Sequence, residues 1–151
     1  MSIMPRPSMY MDPNLGIGKI ASFQNTETDS GVASAVIAPG AAVEMTDGTV
    51  ATLSAGKLYG VAVAKDYVDD LNAAVHAGNY AVGQMVPVLR KGSIVVGITG
   101  DVTNGAPAAV DGTTGSFKLA GADDAAVGTF KNTVKFVADT SATAVLQINL
   151  P

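Results

Sequence analysis

Cysteine and tryptophan are absent from this 151-residue sequence, and there is a single histidine. The absence of cysteine excludes disulfides, thiolate metal sites and cysteine nucleophiles. A histidine-dependent catalytic triad must use His76 or none. His76 lies beside alanines, and the sequence fixes no serine or aspartate near it. We therefore interpret it as a surface or partly buried histidine.

Charge and aromatic content are also low. Charged residues make up 15% of the chain, compared with about a quarter in typical soluble domains, and aromatics make up 5%. A surface with so little charge is expected of a chain that buries much of itself in an assembly, although a small all-β protein can show it too. The net charge of −4 argues against a nucleic-acid-binding platform, which would present a basic face.

The N-terminal sequence MSIMPRPSMYMDPN has neither the apolar core of a secretory signal nor a membrane-spanning run. We expect no signal peptide, no transmembrane helix and synthesis in a cytoplasm. The length predicts one domain with a real core.

Residues 1–18 differ from the rest, because Pro5, Pro7 and Pro13 interrupt any regular element. One interpretation is a frayed terminus. The other is an extended arm that becomes ordered on a neighbouring protein, with methionines as adaptable anchors. The division predicted is therefore an arm at 1–18 and a β-rich domain at 19–151. The arm residues predicted to contact a partner are Pro5, Arg6, Pro7, Met9, Tyr10 and Met11.

From Ile20 onward the pattern predicts an all-β chain. Ala38-Pro39-Gly40 is typical of a type II turn, and Asp47-Gly48 is typical of a tight hairpin. Folding about Asp47-Gly48 places Met45 opposite Val50. Further predicted strands are Val32–Ile37, Leu58–Ala64, Ala106–Val110, Ser116–Leu119, Val127–Phe130, Thr133–Ala138 and a half-buried C-terminal strand from Ala144 to Leu150.

Closely spaced turn signals predict a single compact β-barrel or β-sandwich-like domain of short antiparallel strands. We predict at most one short helix, at residues 66–77, where Tyr67, Leu71, Ala74 and Val75 form one apolar stripe. An ordered surface loop is the alternative there.

The stretch from Tyr80 to Val96, YAVGQMVPVLRKGSIVV, is the most informative in the chain. Two apolar runs flank Arg90-Lys91-Gly92-Ser93, which predicts a hairpin with those four residues as its turn. Both faces of the first run are largely apolar, so we expect it to be covered on both sides. Pro87 cannot donate to a ladder, which favours an edge strand or a bulge.

No pattern of residues predicts a cofactor or metal site. Gly16-Ile17-Gly18 lacks the third glycine and flanking elements of a dinucleotide fingerprint. Two acidic clusters, one at Asp66, Asp69 and Asp70 and the other at Asp123 and Asp124, lack the alternation and closing glutamate of a calcium loop. We predict no catalytic residue and no enzyme activity, while a carboxylate hydrolase using Asp69 or Asp70 remains an alternative.

Four segments resemble tailed-phage capsid cement (decoration) proteins. Tyr80–Val96 carries the most specific likeness, through a tyrosine, a glycine three residues later and V-x-V-L-R-x-G-x-I-x-V. Looser likenesses are I-x-P-G-x-x-V at Ile37–Val43, V-D-G-T-T-G-S-F at Val110–Phe117 and the ending at Val134–Ala144. The segment 66–78 departs from the resemblance, because it looks longer and more helical than expected.

The resemblance implies a structural virion protein that binds the outer surface of an icosahedral phage head. It would bridge major capsid protein subunits and stabilise the shell against packaged DNA. A homotrimer is expected, with a dimer as the alternative, and no nucleic acid, membrane or small-molecule substrate as partner. The protein would be made in the host bacterial cytoplasm and end on the virion. For Arg90 and Lys91 the simpler interpretation is the solvated end of two strands, and the alternative is that they meet acidic groups of the shell.

Three other classes stay open at this stage. The chain could be another phage β-module, such as a tail-tube, head-fibre base or head-completion protein. A carbohydrate-binding module would need an exposed Tyr59, Tyr67 or Tyr80. The carboxylate hydrolase is the third.

Overall fold

The computed structural model describes residues 17–54, 56–65, 79–112, 115–138 and 142–150. Within these ranges nine strands form one sheet, which confirms the mainly β prediction. The strands are β1 (Ile20–Ala33), β2 (Ala42–Thr46), β3 (Thr49–Thr52), β4 (Gly60–Ala62), β5 (Met85–Gly97), β6 (Pro107–Val110), β7 (Phe117–Leu119), β8 (Gly128–Phe130) and β9 (Thr143–Asn149). No helix in these ranges is long and apolar enough to cross a membrane. The predicted helix at 66–77 lies outside the described residues.

The first half of the sheet closes on itself. Its strand order is β1-β3-β2-β4-β5, and β1 also pairs with β5. These five strands therefore form a closed circuit of pairings, which we call the first circuit. The β1–β3 contact is parallel, and it is made only by Val32 and Ala33 of β1.

The second half returns to the same strand. Its order is β5-β9-β8-β6-β7, and a parallel bridge joins Phe117 of β7 to Ile98, the residue after β5. The Thr99 N–H donates to the Phe117 carbonyl at 3.1 Å. This second circuit shares β5 with the first.

Each circuit encloses its own core, and β2, β4 and β5 form a common wall. Because successive side chains point to opposite faces of a strand, neighbouring residues of the wall serve different cores. The first core contains Ala33, Ile37, Ala41, Val43, Val50, Ala62, Tyr80, Val86 and Val88. The second core contains Ala42, Val61, Leu89, Ile94, Val96, Ile98, Val102, Ala108, Phe117, Phe130, Ala144, Leu146 and Ile148. Burial on both faces explains the unbroken apolar runs, and it confirms the expectation for the first half of β5 at Val88 and Leu89, whereas Met85 is exposed.

The predicted hairpin turn at Arg90–Ser93 is wrong, because β5 continues through these residues without reversing. Both halves of β5 pair with β1, and residues 91–97 also pair with β9. The polar residues mark a bend: Gly92 has φ +132°, which a side chain rarely allows. Opposite this point β1 bulges. Ser22 pairs with Ser93 and Glu27 pairs with Lys91, so five residue steps along β1 face only two along β5.

Contacts through Gly40 show how sharply β5 bends. The Gly40 N–H donates to the carbonyl of Ala62, the partner of Val88, at 2.8 Å. A Cβ on Gly40 would lie 3.3 Å from the Val95 carbonyl oxygen. In a straight strand, Val88 and Val95 would be about 23 Å apart, which is more than this short series of contacts can span.

Pro87 lies inside the sheet rather than at an edge, since β1 pairs with it at Ser30 and Val63 N–H donates to its carbonyl at 2.9 Å. In an antiparallel pair the N–H and C=O of one residue point to the same neighbour. The proline therefore leaves the Val63 carbonyl without its ladder donor. The Tyr80 hydroxyl donates to that carbonyl instead. A buried tyrosine thus compensates for a proline in a central strand.

Several local predictions are confirmed. Asp47 and Gly48 have φ of 49° and 81°, and Met45 pairs with Val50 as expected. At the predicted type II turn, Gly40 has φ +76° and Ala41 N–H donates to the Ala38 carbonyl at 3.3 Å. In β9 the side chains at Ala144, Leu146 and Ile148 are buried, as the alternation predicted.

Other local predictions are wrong. β1 and β5 have 14 and 13 residues, so the strands are not all short. β1 ends at Ala33, and beyond it only Ile37 pairs, through a bridge to Tyr80. Thr133–Ala138 is not a strand: Val134 bridges to Val102, and the Phe136 N–H donates to the Asp101 carboxylate at 2.7 Å. The Asp101 side chain thus accepts a backbone hydrogen bond that a neighbouring strand would otherwise accept.

We expect Tyr80→Phe to lower the free energy of unfolding by about 1–3 kcal/mol, because it leaves the Val63 carbonyl buried without a donor. In a Pro87→Ala background the same change should cost less, since the substituted residue supplies the missing backbone N–H. A double-mutant cycle by denaturant unfolding measures this coupling. Equal costs in the two backgrounds would show that the hydroxyl does not replace the proline's missing donor.

Candidate interaction surfaces

Asp29, Tyr59 and Arg90 form a polar cluster beside the first core, against which Tyr59 packs. The Arg90 guanidinium lies 3.9 Å from the centroid of the Tyr59 ring, and its Nη1 donates to the Tyr59 carbonyl at 2.6 Å. The Tyr59 hydroxyl donates to the Asp29 carboxylate. Asp29 lies in β1, Tyr59 directly precedes β4, and Arg90 lies in β5, so their contacts join neighbouring strands. A stacked guanidinium held in this way is suited to carboxylate recognition.

Hydrogen bonding favours the ionised form of Asp29. The hydroxyl of Tyr59 makes the largest contribution to lowering the pKa of Asp29, followed by the Ser30 N–H at 2.8 Å, and the charge of Arg90 acts in the same direction. The same hydrogen bond raises the pKa of Tyr59, because the phenol donates to a carboxylate. Asp29 is therefore ionised and hydrogen-bonded at neutral pH.

A polar cavity of about 140 Å³, which we call the lysine pocket, lies beside the bulge of β1. It is lined by Ser22, Asn25, Lys91, Gly92, Ser93, Lys131, Gln147, Ile148 and Asn149. β1, β5 and β9 supply most of this lining, and Lys131 follows β8.

Four exposed apolar side chains form an edge patch at one end of the first circuit: Val32, Val36, Val82 and Met85. Val32 pairs with Met85 across β1 and β5. The turn that carries Val82 is joined to β1 by the Gly83 N–H, which donates to the Ala33 carbonyl at 2.8 Å. Val82 is 65% exposed and Met85 is 60% exposed. Clustered apolar exposure of this kind marks contact surfaces.

A larger apolar groove of about 560 Å³ lies on the second circuit. It is lined by Leu53, Gly56, Lys57, Leu58, Ala109, Val110, Asp124, Ala125, Ala126, Val127, Asn149 and Leu150. Asp124 at this groove accepts a hydrogen bond from the Gly121 N–H at 2.9 Å and contacts Lys118 Nζ at 3.1 Å. The Gly121 hydrogen bond is the main reason that the pKa of Asp124 is lowered.

The structure places the two predicted contact residues of the central stretch in different surroundings. Arg90 belongs to the polar cluster with Tyr59, while the neighbouring Lys91 lines the lysine pocket. Successive residues of a strand point to opposite faces, which explains the separation. The predicted arm contacts Pro5, Arg6, Pro7, Met9, Tyr10 and Met11 lie outside the described residues.

A carbohydrate-binding surface and a metal site can both be checked within the described ranges. A carbohydrate surface would use Tyr59 or Tyr80, but Tyr80 is 3% exposed and Arg90 covers Tyr59. Tyr67 lies outside the described residues, as do His76 and the acidic cluster at 66–70. Among the described residues no group of three or more histidine, cysteine, aspartate or glutamate side chains is placed to hold a metal ion.

Sequence reasoning missed Asp29 and Lys131 as members of these surfaces. Asp29 and Tyr59 are 30 residues apart, and their contact depends on the pairing of β1, β4 and β5. Lys131 reaches the lysine pocket because β8 pairs with β9. Asp29 lies in a polar stretch of β1 and carried no local signal, whereas Lys131 directly follows the predicted strand that ends at Phe130.

The lowered pKa of Asp29 predicts a contribution to stability that is present above its ordinary value of 3.8 and is lost as pH falls through the lower, folded-state value. Between pH 6 and pH 3 the wild type should therefore lose more unfolding free energy than Tyr59→Phe, which lacks the main hydrogen bond. Urea titrations at several pH values measure the difference. Equal losses in wild type and Tyr59→Phe would contradict the prediction.

Comparison with known proteins gives a family match and matches to solved structures. A family model described as "Structural cement protein (E217 gp24/Pam3 gp6)" matches residues 7–150. Among solved structures, the chain is similar to "The crystal structure of head fiber gp8.5 N base in bacteriophage phi29", with a TM-score of 0.56, 11% identity, and coverage of 82% of this chain and 94% of that chain. At that identity the likeness shows a shared fold alone. No curated protein matches.

The family match bears directly on the resemblance seen in the sequence. It begins within the proline-containing N-terminal segment, includes the whole of β1 to β9 and contains the Tyr80–Val96 stretch. The predicted relationship is confirmed. By a match that spans both circuits and nearly the full sequence, this chain belongs to the family of phage structural cement proteins.

Proposed function

We propose that this protein binds the outer surface of an icosahedral phage head and stabilises the shell by bridging major capsid protein subunits. The observation that carries the proposal is the match of residues 7–150 to a structural cement family. The exposed edge patch supports it, because a β-domain with two closed cores presents apolar side chains that a partner would bury. Its place in the virion is then the outer capsid surface.

The mechanism follows from linkage. A protein that binds across a junction between subunits adds free energy to the assembled shell and none to separated subunits, so it shifts the equilibrium toward the intact shell. A standard interface buries about 1,600 Å² in total, and icosahedral repetition multiplies its effect over the particle. No covalent chemistry is required of the chain.

Within this proposal the N-terminal arm reaches a neighbouring protein through Pro5, Arg6, Pro7, Met9, Tyr10 and Met11. Gly18 already belongs to the β-domain, because its N–H donates to the Val95 carbonyl at 2.7 Å and its carbonyl accepts from Ala64 N–H at 2.8 Å. A test of the arm should therefore remove residues 1–16 and retain Ile17 and Gly18. Arg90, held over Tyr59, would meet an acidic group of the shell.

The β-domain would make a homotrimer through the edge patch. Val82 and Met85 are the most exposed members, and Val32 lies beside Met85 on the paired strand. Burying this patch against the same region of a second copy would remove apolar surface from water at each contact. The low charge of the chain, 15% of residues, is consistent with association.

A second candidate function is the base of a head fibre. The fold shared with the head fibre base of bacteriophage phi29 favours it, with a TM-score of 0.56 over 82% of this chain. A fibre base would present one end of the domain to the head and the other to a fibre. A cement protein would instead saturate many equivalent sites on a bare shell.

Co-sedimentation with expanded capsid shells from the protein's own source tests the function. We expect saturable binding at many copies per shell and a higher shell melting temperature. Few copies with no change in melting would favour a fibre base. Absence of binding to intact shells would refute both attachment proposals. Deleting residues 1–16 should weaken binding, and equal binding without them would refute the role of the arm.

Light scattering of the purified protein tests the edge patch. Val82→Lys and Met85→Lys each place a charge where an apolar contact is proposed, so we expect self-association at least about tenfold weaker. Val137→Lys, at a residue 59% exposed elsewhere in the chain, is the matched control. An unchanged molar mass for both patch variants would exclude the patch from the oligomer contact.

A further inference from the structure

The lysine pocket is built by an irregularity in two paired strands. Between Ser22 and Glu27, β1 carries three more residues than the facing stretch of β5, and the Thr26 hydroxyl closes this bulge by donating to the Ser22 carbonyl at 3.2 Å. Within the bulge Asn25 has φ 50°, and Gly92 opposite has φ +132°. Bulges and unusual backbone angles are concentrated beside functional sites.

The charges of the pocket lack acidic partners within the described part of the chain. No ion pair within 4 Å joins Lys91 or Lys131 to any acidic group of the described residues, although Glu27 lies opposite Lys91 in the strand register. Lys118 and Lys135, by contrast, pair with Asp124 at 3.1 Å and with Asp101 at 3.4 Å. Two lysines without such a pairing therefore border one concavity of a chain whose net charge is −4.

The two lysines can only donate hydrogen bonds, and the remaining polar lining can donate to the same acceptor. Asn25, Gln147 and Asn149 supply amide groups, and Ser22 and Ser93 supply hydroxyl groups. An ionised carboxylate accepts hydrogen bonds through both oxygens and needs no donor of its own. A volume of about 140 Å³ holds the head of an aspartate or glutamate side chain but no large ligand. An apolar group there would desolvate two lysines without compensation.

We propose that the lysine pocket receives an aspartate or glutamate side chain of the major capsid protein, with Lys91 and Lys131 on either side of the carboxylate. This rests on the proposed attachment to the shell and names the chemistry of one contact. The contact adds register as well as affinity, because a side chain inserted between two positive charges sets the position of the domain on the shell.

The first test compares the neutral variants Lys91→Gln, Lys131→Gln and the double variant in shell co-sedimentation. Lys135→Gln, which removes one lysine that is 85% exposed and lines neither cavity, is the matched control for loss of a single charge. We expect at least about tenfold weaker binding for the double variant and wild-type binding for Lys135→Gln. Thermal melting of each free variant checks that the fold is intact. Wild-type binding by the double variant would overturn the proposal while leaving shell attachment established.

The second test identifies the partner group directly. A water-soluble carbodiimide joins a lysine amine to a carboxylate in contact with it, forming an amide bond with loss of water. Mass spectrometry of treated, decorated shells should find Lys91 or Lys131 linked to an aspartate or glutamate of the capsid protein. Links from other lysines only would overturn the inference. If wild-type protein does not bind shells at all, the failure belongs to the proposed function instead.

Discussion

The structure depends on β5 being shared by two closed circuits. Its first half separates two cores, so Val88 and Leu89 are both fully buried although they point in opposite directions. A strand in this position needs apolar side chains on both faces and a partner for every buried polar group of its backbone. Pro87 has no N–H to donate to the Val63 carbonyl, and the Tyr80 hydroxyl donates to that carbonyl instead. The most specific stretch of the sequence is thus the part on which the fold depends most.

Closure also determines how the molecule meets other proteins. Sheet edges are the usual sites at which another chain adds a strand, and closing a sheet removes edges. Recognition therefore falls to the edge patch, the polar cluster around Arg90 and the lysine pocket. Two of these lie where β5 bends: Arg90 and Lys91 point to opposite faces just before the bend, and the bulge of β1 opens a cavity beside Gly92. The bend of β5 and the bulge of β1 therefore lie next to both charged features of the surface.

Sequence patterns predicted local structure well and long-range pairing poorly. Asp47-Gly48 set both the turn and the Met45–Val50 register, because a tight hairpin is determined by its own residues. The sequence Arg90-Lys91-Gly92-Ser93 has the composition of a turn, yet it forms a bend because β1 and β9 pair on either side of it. The contact of Tyr59 with Asp29 likewise depends on which strands become neighbours. Periodicity showed that β5 was buried on both faces, but it could not show that the second face belonged to another core of the same chain.

The order of the strands has a consequence for synthesis on the ribosome. All five strands of the first circuit lie within residues 20–97, whereas the second circuit needs β9, which ends at Asn149. Domains and their parts generally fold as they emerge from the N-terminus. The first core can therefore close while β6 to β9 are still being translated. During that interval Ala42, Val61 and Leu89, which face the second core, lack the packing partners that the later strands supply, among them Phe117, Phe130 and Leu146. The apolar wall of a half-made chain is thus the surface that must be covered soonest.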